Sequence, residues 1–298
     1  MNDRIGFVGL GHMGRWIAVN LLKNGFDLMV FDIEPAAVAF VTGHGAQKAA
    51  SFAETANFSP VLFFCLPNQL VIEKIVSDES GLLEDSLQNR TWVDLGTSNY
   101  IWTKQFAGSM KKRGLCFIDA PVTGMEQRAK DGTLTIMIGG EKAVMDKLSP
   151  ALKCIGSELV HMGKVGSGQL AKTINNVLLN VNLAALAELL PMAVRLGLEP
   201  DKITRVINSG SGQSFASQLF LPRILENDFN HGYALNHAYK DMENICEISS
   251  RQKIPIPVVH AALSTYQAAL AAGFGEEDKG AMMKVFESLL EVRFRSDK

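Results

Sequence analysis

The chain has 298 residues, enough for one large or two ordinary domains around a sizeable core. Lys and Arg total 29 against 31 Asp and Glu, a formal charge of −2 that leaves no electrostatic case for a nucleic-acid partner. Hydrophobic residues at 47% and charged residues at 20% exclude a disordered chain and favour a globular one.

The first predicted strand is Arg4–Val8, and Gly9-Leu10-Gly11-His12-Met13-Gly14 follows it directly. A helical pattern over His12–Asn24 comes next, then a second strand over Asp27–Phe31 that ends on Asp32. A glycine run alone is weak evidence. Between a strand and a helix, with an acid some twenty residues on, it reads as a dinucleotide-binding turn. Gly9 allows the tight turn, Gly11 lets backbone approach a pyrophosphate, and Gly14 lets helix and strand pack closely. The helix N-terminus offers free N–H groups and partial positive charge to the phosphates. Asp32 then stands where a carboxylate meets a ribose 2′-hydroxyl and repels a 2′-phosphate. Ile33, Glu34 and Pro35 follow it with no arginine, so NAD is expected over NADP. The plainer alternative is that Asp32 merely precedes a helix starting near Pro35. The strand begins so early that no signal peptide is expected, and a cytoplasmic protein is expected.

Further strands are predicted at Val61–Cys65, Thr91–Leu95, Leu115–Asp119, Leu134–Ile138 and Glu158–His161. Helical stretches Gln69–Val76, Tyr100–Arg113 and Glu141–Lys153 alternate with them, which implies a mostly parallel sheet covered by helices. Past Gly166 the pattern is helical: 167–196, 200–209, 235–253, 256–272 and 278–292. Gly163 to Gly168 marks the change, with Ser167 placed to cap the long helix. The domains expected are therefore 1–163 and 164–298. Val177–Val194 is apolar enough to suggest a membrane span, but Asn180, Asn182, Glu188 and Pro191 interrupt it. A helix buried in the protein or at a subunit interface is expected instead, with no membrane partner.

Two later stretches carry candidate chemistry. Lys172, Asn176 and Asn180 recur at i, i+4, i+8 and form a polar stripe on an otherwise apolar helix. Burying such groups costs several kcal/mol unless they are partnered, so the stripe is either a structural network or the floor of a polar cleft. Asp119-Ala120-Pro121-Val122-Thr123-Gly124 leaves a strand on the ligand side of a parallel sheet. There the Thr123 hydroxyl and following N–H groups can hold a carboxylate, unless the segment is simply a turn. The histidines (His12, His44, His161, His231, His237 and His260) form no close ligand pair, so no metal is expected. Cys65, Cys116, Cys154 and Cys246 form no CxxC pair and read as reduced thiols. No GxSxG elbow or Cys–His signature points to hydrolysis.

Together the Gly9–Gly14 turn, the Asp119–Gly124 loop, Gly166 to Asn176 and Lys240-Asp241 resemble the β-hydroxyacid dehydrogenase family, the 3-hydroxyisobutyrate dehydrogenase group. The likeness runs through nearly the whole chain in the expected order. It implies a Rossmann-type doubly wound α/β domain followed by an all-α domain, and an oxidoreductase moving hydride between NAD(H) and a small carboxylate-bearing β-hydroxyacid or its semialdehyde. By this resemblance Lys172 is the catalytic proton shuttle and Asn176 a substrate-contacting amide, while Thr123 and Gly124 belong to the substrate loop. Gly9, Leu10, Gly11, His12, Met13, Gly14 and Asp32 bind the cofactor, with Leu66, Pro67 and Thr97 on further cofactor loops. Lys240 closes over the cofactor and reactive centre, and Ser209–Ser214 matches a Ser-Gly loop lining the far side of the pocket.

The loop departs from the family at Met125, where a second glycine is common, and at Arg128, where a small residue is usual. Met125 is expected to intrude on the pocket or shift the backbone. Arg128 either points into solvent, the plainer outcome, or binds a second anionic group on the substrate. An imine reductase-like enzyme, whose lysine position normally carries another residue, and a non-catalytic dinucleotide-binding relative are the alternatives; Lys172 with Asn176 and Lys240 speaks against both. The related 6-phosphogluconate dehydrogenases are longer and carry a histidine where this chain has Asn175. The long helix is too apolar for a water-exposed monomer, so a homodimer or homotetramer through the helical domain is expected.

Overall fold

A computed structural model describes residues 3–78, 88–230 and 234–296, which leaves His231 outside the described residues. The chain divides into two compact units, Met1–Lys172 and Thr173–Lys298.

The first unit is a sheet with helices on both faces. Its elements are β1 (Arg4–Val8), α1 (Gly14–Lys23), β2 (Asp27–Phe31), α2 (Pro35–Thr42), β3 (Gln47–Lys48), α3 (Phe52–Phe58), β4 (Val61–Phe64), α4 (Gln69–Asp78), β5 (Thr91–Asp94), α5 (Tyr100–Lys112), β6 (Cys116–Asp119), β7 (Val122–Thr123), α6 (Met125–Lys130), β8 (Leu134–Gly139), α7 (Lys142–Ile155) and β9 (Gly156–Gly163). The strand order is β3-β2-β1-β4-β5-β6-β8-β7, with β9 on the other side of β8. β3 to β6 are mutually parallel, while β8 runs antiparallel to β6 and β7 and parallel to β9.

Strand alternation builds the two cores. Ile5, Phe7, Phe63, Val93 and Ile118 face one side and pack on Ile17, Leu21, Val41, Leu148 and Leu152 of α1, α2 and α7. Val8, Phe64, Trp92 and Phe117 face the other, against Phe52, Ile72 and Met110 of α3, α4 and α5. Two buried faces explain why these strands are almost wholly apolar, each large side chain contributing ~1.5–3 kcal/mol of burial. The short elements β3, β7, α2, α3 and α6 extend the predicted pattern.

A helix, α8 (Ser167–Arg195), starts in the first unit and continues into the second. The second unit adds α9 (Pro200–Ser209), α10 (Phe215–Leu225), α11 (Leu235–Gln252), α12 (Pro257–Ala271), a 3₁₀ turn (Lys279–Met282) and α13 (Met283–Leu290). Val177, Leu183, Ala187 and Leu190 of α8 join Phe220, Met242 and Tyr266 in one core. α10 lies outside the predicted helices; Ser214 starts it with a capping box to Ser217. The stretch read as one helix over 278–292 is a 3₁₀ turn followed by α13.

Candidate active site

The glycine turn has the geometry that its spacing implies. Gly9 has φ +95°, and a β-carbon there would lie 2.4 Å from the Cys65 carbonyl oxygen. A β-carbon at Gly14 would lie 1.9 Å from the Gly9 carbonyl, so only glycine lets α1 sit this close to the strand end. At Gly11 no heavy atom lies within 4 Å of that position, which leaves the backbone open to a ligand. Met13 provides no side-chain cap at the start of α1. Asp32 accepts hydrogen bonds from Leu10 N at 2.5 Å and Glu34 N at 2.8 Å, holding its carboxylate against the turn. An open backbone at a helix N-terminus beside a fixed carboxylate suits a dinucleotide without a 2′-phosphate. His12 is largely exposed, and its Nδ1 lies 3.7 Å from Glu126. Leu66 and Pro67 follow β4, and a β-carbon at Gly96 would meet the Leu66 carbonyl at 2.5 Å, so the turn carrying Thr97 lies against that loop.

Beneath these loops lies a buried network whose role sequence reasoning missed. Asp94 and Asp119 end β5 and β6 in register with one another, both fully buried. Asp119 accepts from Gly166 N at 2.6 Å and Gln169 N at 2.8 Å. It therefore caps α8 from the sheet, while Ser167 is itself the first helical residue. Gln169 Nε2 donates to Asp94 Oδ2 at 3.2 Å and to the Gly96 carbonyl at 2.9 Å, and its Oε1 accepts from Ser98 N at 3.0 Å. Asp94 also accepts from Ser98 Oγ at 2.7 Å and Gly96 N at 2.9 Å. Burial pushes the Asp94 and Asp119 carboxyls up to about 6, against the pull of these hydrogen bonds. Burial, reinforced by Asp94, pushes the Cys65 thiol up to about 12, so it is no nucleophile. Lys172 is half-buried in α8, one turn beyond Gln169. Because the first turn of α8 is tied to the sheet, the compact unit extends to Lys172, past the change of pattern near 163.

In the loop expected to meet the substrate, Thr123 ends β7 and pairs with Thr135 of β8. Gly124 has φ +139° and Met125 φ +63°, so the methionine adopts the left-handed conformation natural to a glycine. Its side chain is 44% exposed. Arg128 turns back onto its own hairpin rather than into solvent, donating to the Thr133 carbonyl and lying 3.5 Å from Thr135 Oγ1. Its position near Gly124 and the adjacent β8 edge explains that direction. Glu126 accepts from Trp16 Nε1 at 2.9 Å, tying the loop to α1.

In the second unit, Asn176 Nδ2 donates to Asp241 Oδ2 at 3.0 Å, with Asp241 buried. Asn180 is structural: fully buried, it donates to the Ala238 carbonyl at 3.3 Å and accepts from Lys279 Nζ at 2.7 Å. The predicted stripe thus resolves into half-buried Lys172 and Asn176 and a satisfied core amide at Asn180. Lys240 is half-buried, and burial lowers its pKa against the opposing pull of Asp241. Ser214, the last residue of the Ser-Gly loop, caps α10. Among the described residues, no cluster of His, Cys, Asp or Glu is placed to hold a metal ion.

Residues 4–163 match the family described as the NAD binding domain of 6-phosphogluconate dehydrogenase. Residues 166–286 match that described as the NAD-binding domain of NADP-dependent 3-hydroxyisobutyrate dehydrogenase. The chain is 35% identical to a 2-(hydroxymethyl)glutarate dehydrogenase of Eubacterium barkeri, over 97% of this chain and 96% of that one. It is 30% identical to the mitochondrial 3-hydroxyisobutyrate dehydrogenase of Homo sapiens, over 96% of this chain and 87% of that one. A crystal structure of 3-hydroxyisobutyrate dehydrogenase from Salmonella typhimurium superposes with a TM-score of 0.85 at 27% identity, covering 95% and 99% of the two chains.

Proposed function

This chain belongs to the β-hydroxyacid dehydrogenase family, the group of 3-hydroxyisobutyrate dehydrogenases and their relatives, and from that premise we propose how its residues carry out the reaction. It is an NAD-dependent oxidoreductase that moves hydride between NAD(H) and a small β-hydroxyacid or the matching semialdehyde. When bound, the nicotinamide supplies the hydride acceptor or donor. The protein must then move the hydroxyl proton and hold the acid in register.

Lys172 takes the hydroxyl proton during oxidation and returns one to the carbonyl during reduction. A lysine does this once its surroundings favour the neutral amine. Asn176 orients the substrate, its carboxamide held by Asp241, and Lys240 is assigned to the cofactor and reacting centre by its match to the family's late Lys-Asp pair. The Thr123 hydroxyl and the N–H groups that follow it hold the substrate carboxylate, with Met125 beside it. Arg128 binds a second carboxylate only by giving up its hold on Thr133. The observation that carries this reading is the buried tie from β5 and β6 to the first turn of α8, which fixes the helix bearing Lys172 against the strand ends that carry Thr97 and Thr123. Lys172→Ala is expected to lose at least 99% of turnover while still binding NADH, read by nucleotide fluorescence. Retained turnover above a few per cent argues against the shuttle. An absorbance screen at about 340 nm, with NADH and NADPH against semialdehydes and NAD against mono- and dicarboxylic hydroxyacids, identifies the substrate class.

The enzyme works as a homodimer or homotetramer in a reducing, cytoplasmic setting. Support for the setting comes from four unpaired cysteines. Support for assembly comes from Ile174, Leu178, Leu189 and Met192, which recur along α8 with exposed side chains. The helix is long and apolar enough to cross a membrane, yet its other face, with Val177, Leu183, Ala187 and Leu190, packs in the core of its unit. Leu178→Glu with Leu189→Glu is expected to convert the wild-type light-scattering mass to that of a monomer. A wild-type monomer at micromolar protein sinks this assembly.

A further inference from the structure

We propose that Gln169 is a positioning residue that fixes the spacing between the cofactor turn at Thr97 and the proton-transfer lysine at 172. The proposal rests on the reading of Lys172 and Thr97 given above. Four bonds carry it, and each reaches a different part of the site. The backbone N–H of Gln169 reaches Asp119, the carboxylate from which the Thr123 loop departs. Its Nε2 reaches Asp94 at the end of β5 and the Gly96 carbonyl, and its Oε1 takes the N–H of Ser98. Gly96 and Ser98 flank Thr97, so the amide grips the turn on both sides of that residue.

The surroundings leave this side chain little freedom. Gln169 is fully buried, and Asp94 and Asp119 on either side are buried as well. A β-carbon on the neighbouring Gly168 would lie 2.2 Å from the Met137 carbonyl and 2.8 Å from Asp119, so the helix start is seated on the sheet with no room to slide. Glutamine suits the position because it offers a donor to acceptors Asp94 and Gly96, and an acceptor to donor Ser98, on one planar group. No apolar or charged residue of that length does both. A displacement of about 1 Å at a reacting group costs on the order of a hundredfold in rate, so a tie between these two elements acts on kcat rather than on the nucleotide's affinity.

Two substitutions test it. Gln169→Leu keeps the volume and removes both side-chain roles, and it is expected to lower kcat at least tenfold while the NADH dissociation constant changes less than threefold. Gln169→Glu puts a third carboxyl beside Asp94 and Asp119. When ionised it repels the Asp94 oxygen and the Gly96 carbonyl; when protonated it recovers one of the amide's two donated hydrogen bonds and still accepts from Ser98. Its kcat relative to wild type should therefore rise at least fivefold between about pH 8 and 6, with melting temperature recorded at each pH to correct for the folded fraction. A purely structural role would lower the melting temperature and leave kcat per folded molecule, and its pH ratio, unmoved. If Gln169→Leu does not fold, the pH ratio of Gln169→Glu decides alone. Unchanged kcat in folded Gln169→Leu with Lys172→Ala inactive overturns the positioning role only, and an active Lys172→Ala overturns it together with the reading beneath it.

Discussion

Met125 shows how a single side chain bears on both stability and specificity. A non-glycine residue at φ +63° costs on the order of 1 kcal/mol. Strain of this kind persists where the conformation serves a purpose, and here it holds a thioether beside the loop assigned to the substrate carboxylate. Met125→Gly should relieve the strain. The greater entropy of glycine in the unfolded chain offsets part of that gain. The expected melting temperature is unchanged or up by about 2 °C, and KM for a hydroxyacid with a longer side chain should fall several-fold. A loss of about 1 kcal/mol, the ordinary cost of glycine inside a helix, would show that Met125 is not strained.

At the scale of elements, α8 links fold to chemistry, and its first turn is its critical part. A β-carbon at Gly168 would strike the Met137 carbonyl, a backbone atom that cannot swing aside. Gly168→Ala therefore shifts the helix start, and kcat should fall more than tenfold. Gly108 is the control, since it lies exposed within α5 with no heavy atom within 4 Å of the added carbon. Gly108→Ala should raise stability by ~0.5–1 kcal/mol in denaturant unfolding and leave kcat unchanged. The sequence marks Gly168 as part of a glycine run, but not the Met137 carbonyl that makes it irreplaceable, which marks the limit of reading by spacing. Gly9, Gly11, Gly14 and Asp32 were legible because a turn's conformation is written in positions close along the chain. The alternating strands and the helical second half were legible for the same reason. Asp94, Asp119 and Gln169 were not: their partners are 71 residues away in the case of Ser98 to Gln169 and 47 in that of Gly166 to Asp119. The one available signal was a pair of acids at the ends of apolar strands, where an unpartnered carboxylate would be costly. The direction of Arg128 and the capped start of α10 likewise depend on contacts that no local pattern encodes.

For the whole molecule, three buried carboxyls give stability a pH dependence opposite to the usual one. Asp94 and Asp119 in the first unit and Asp278 in the second are each pushed up to about 6, with burial the largest cause in every case. A folded pKa above the unfolded value near 3.8 means that the native state binds protons more tightly. The contribution of such a group is therefore complete below pH 3.8 and is lost as pH rises through about 6. For fully buried Asp94 the swing is of order 3 kcal/mol. Asp94→Asn removes this titration while retaining one oxygen acceptor for Gly96 or Ser98. The variant's stability deficit against wild type should be largest near pH 4 and should shrink by a few kcal/mol by about pH 7. Catalysis should move the other way, because the ionised carboxylates are the acceptors that hold Gln169 and the start of α8. Melting curves and kcat for both proteins from pH 4 to 7.5 check the two together. A stability deficit that stays flat across that range would show that Asp94 ionises as easily in the folded protein as in the unfolded chain.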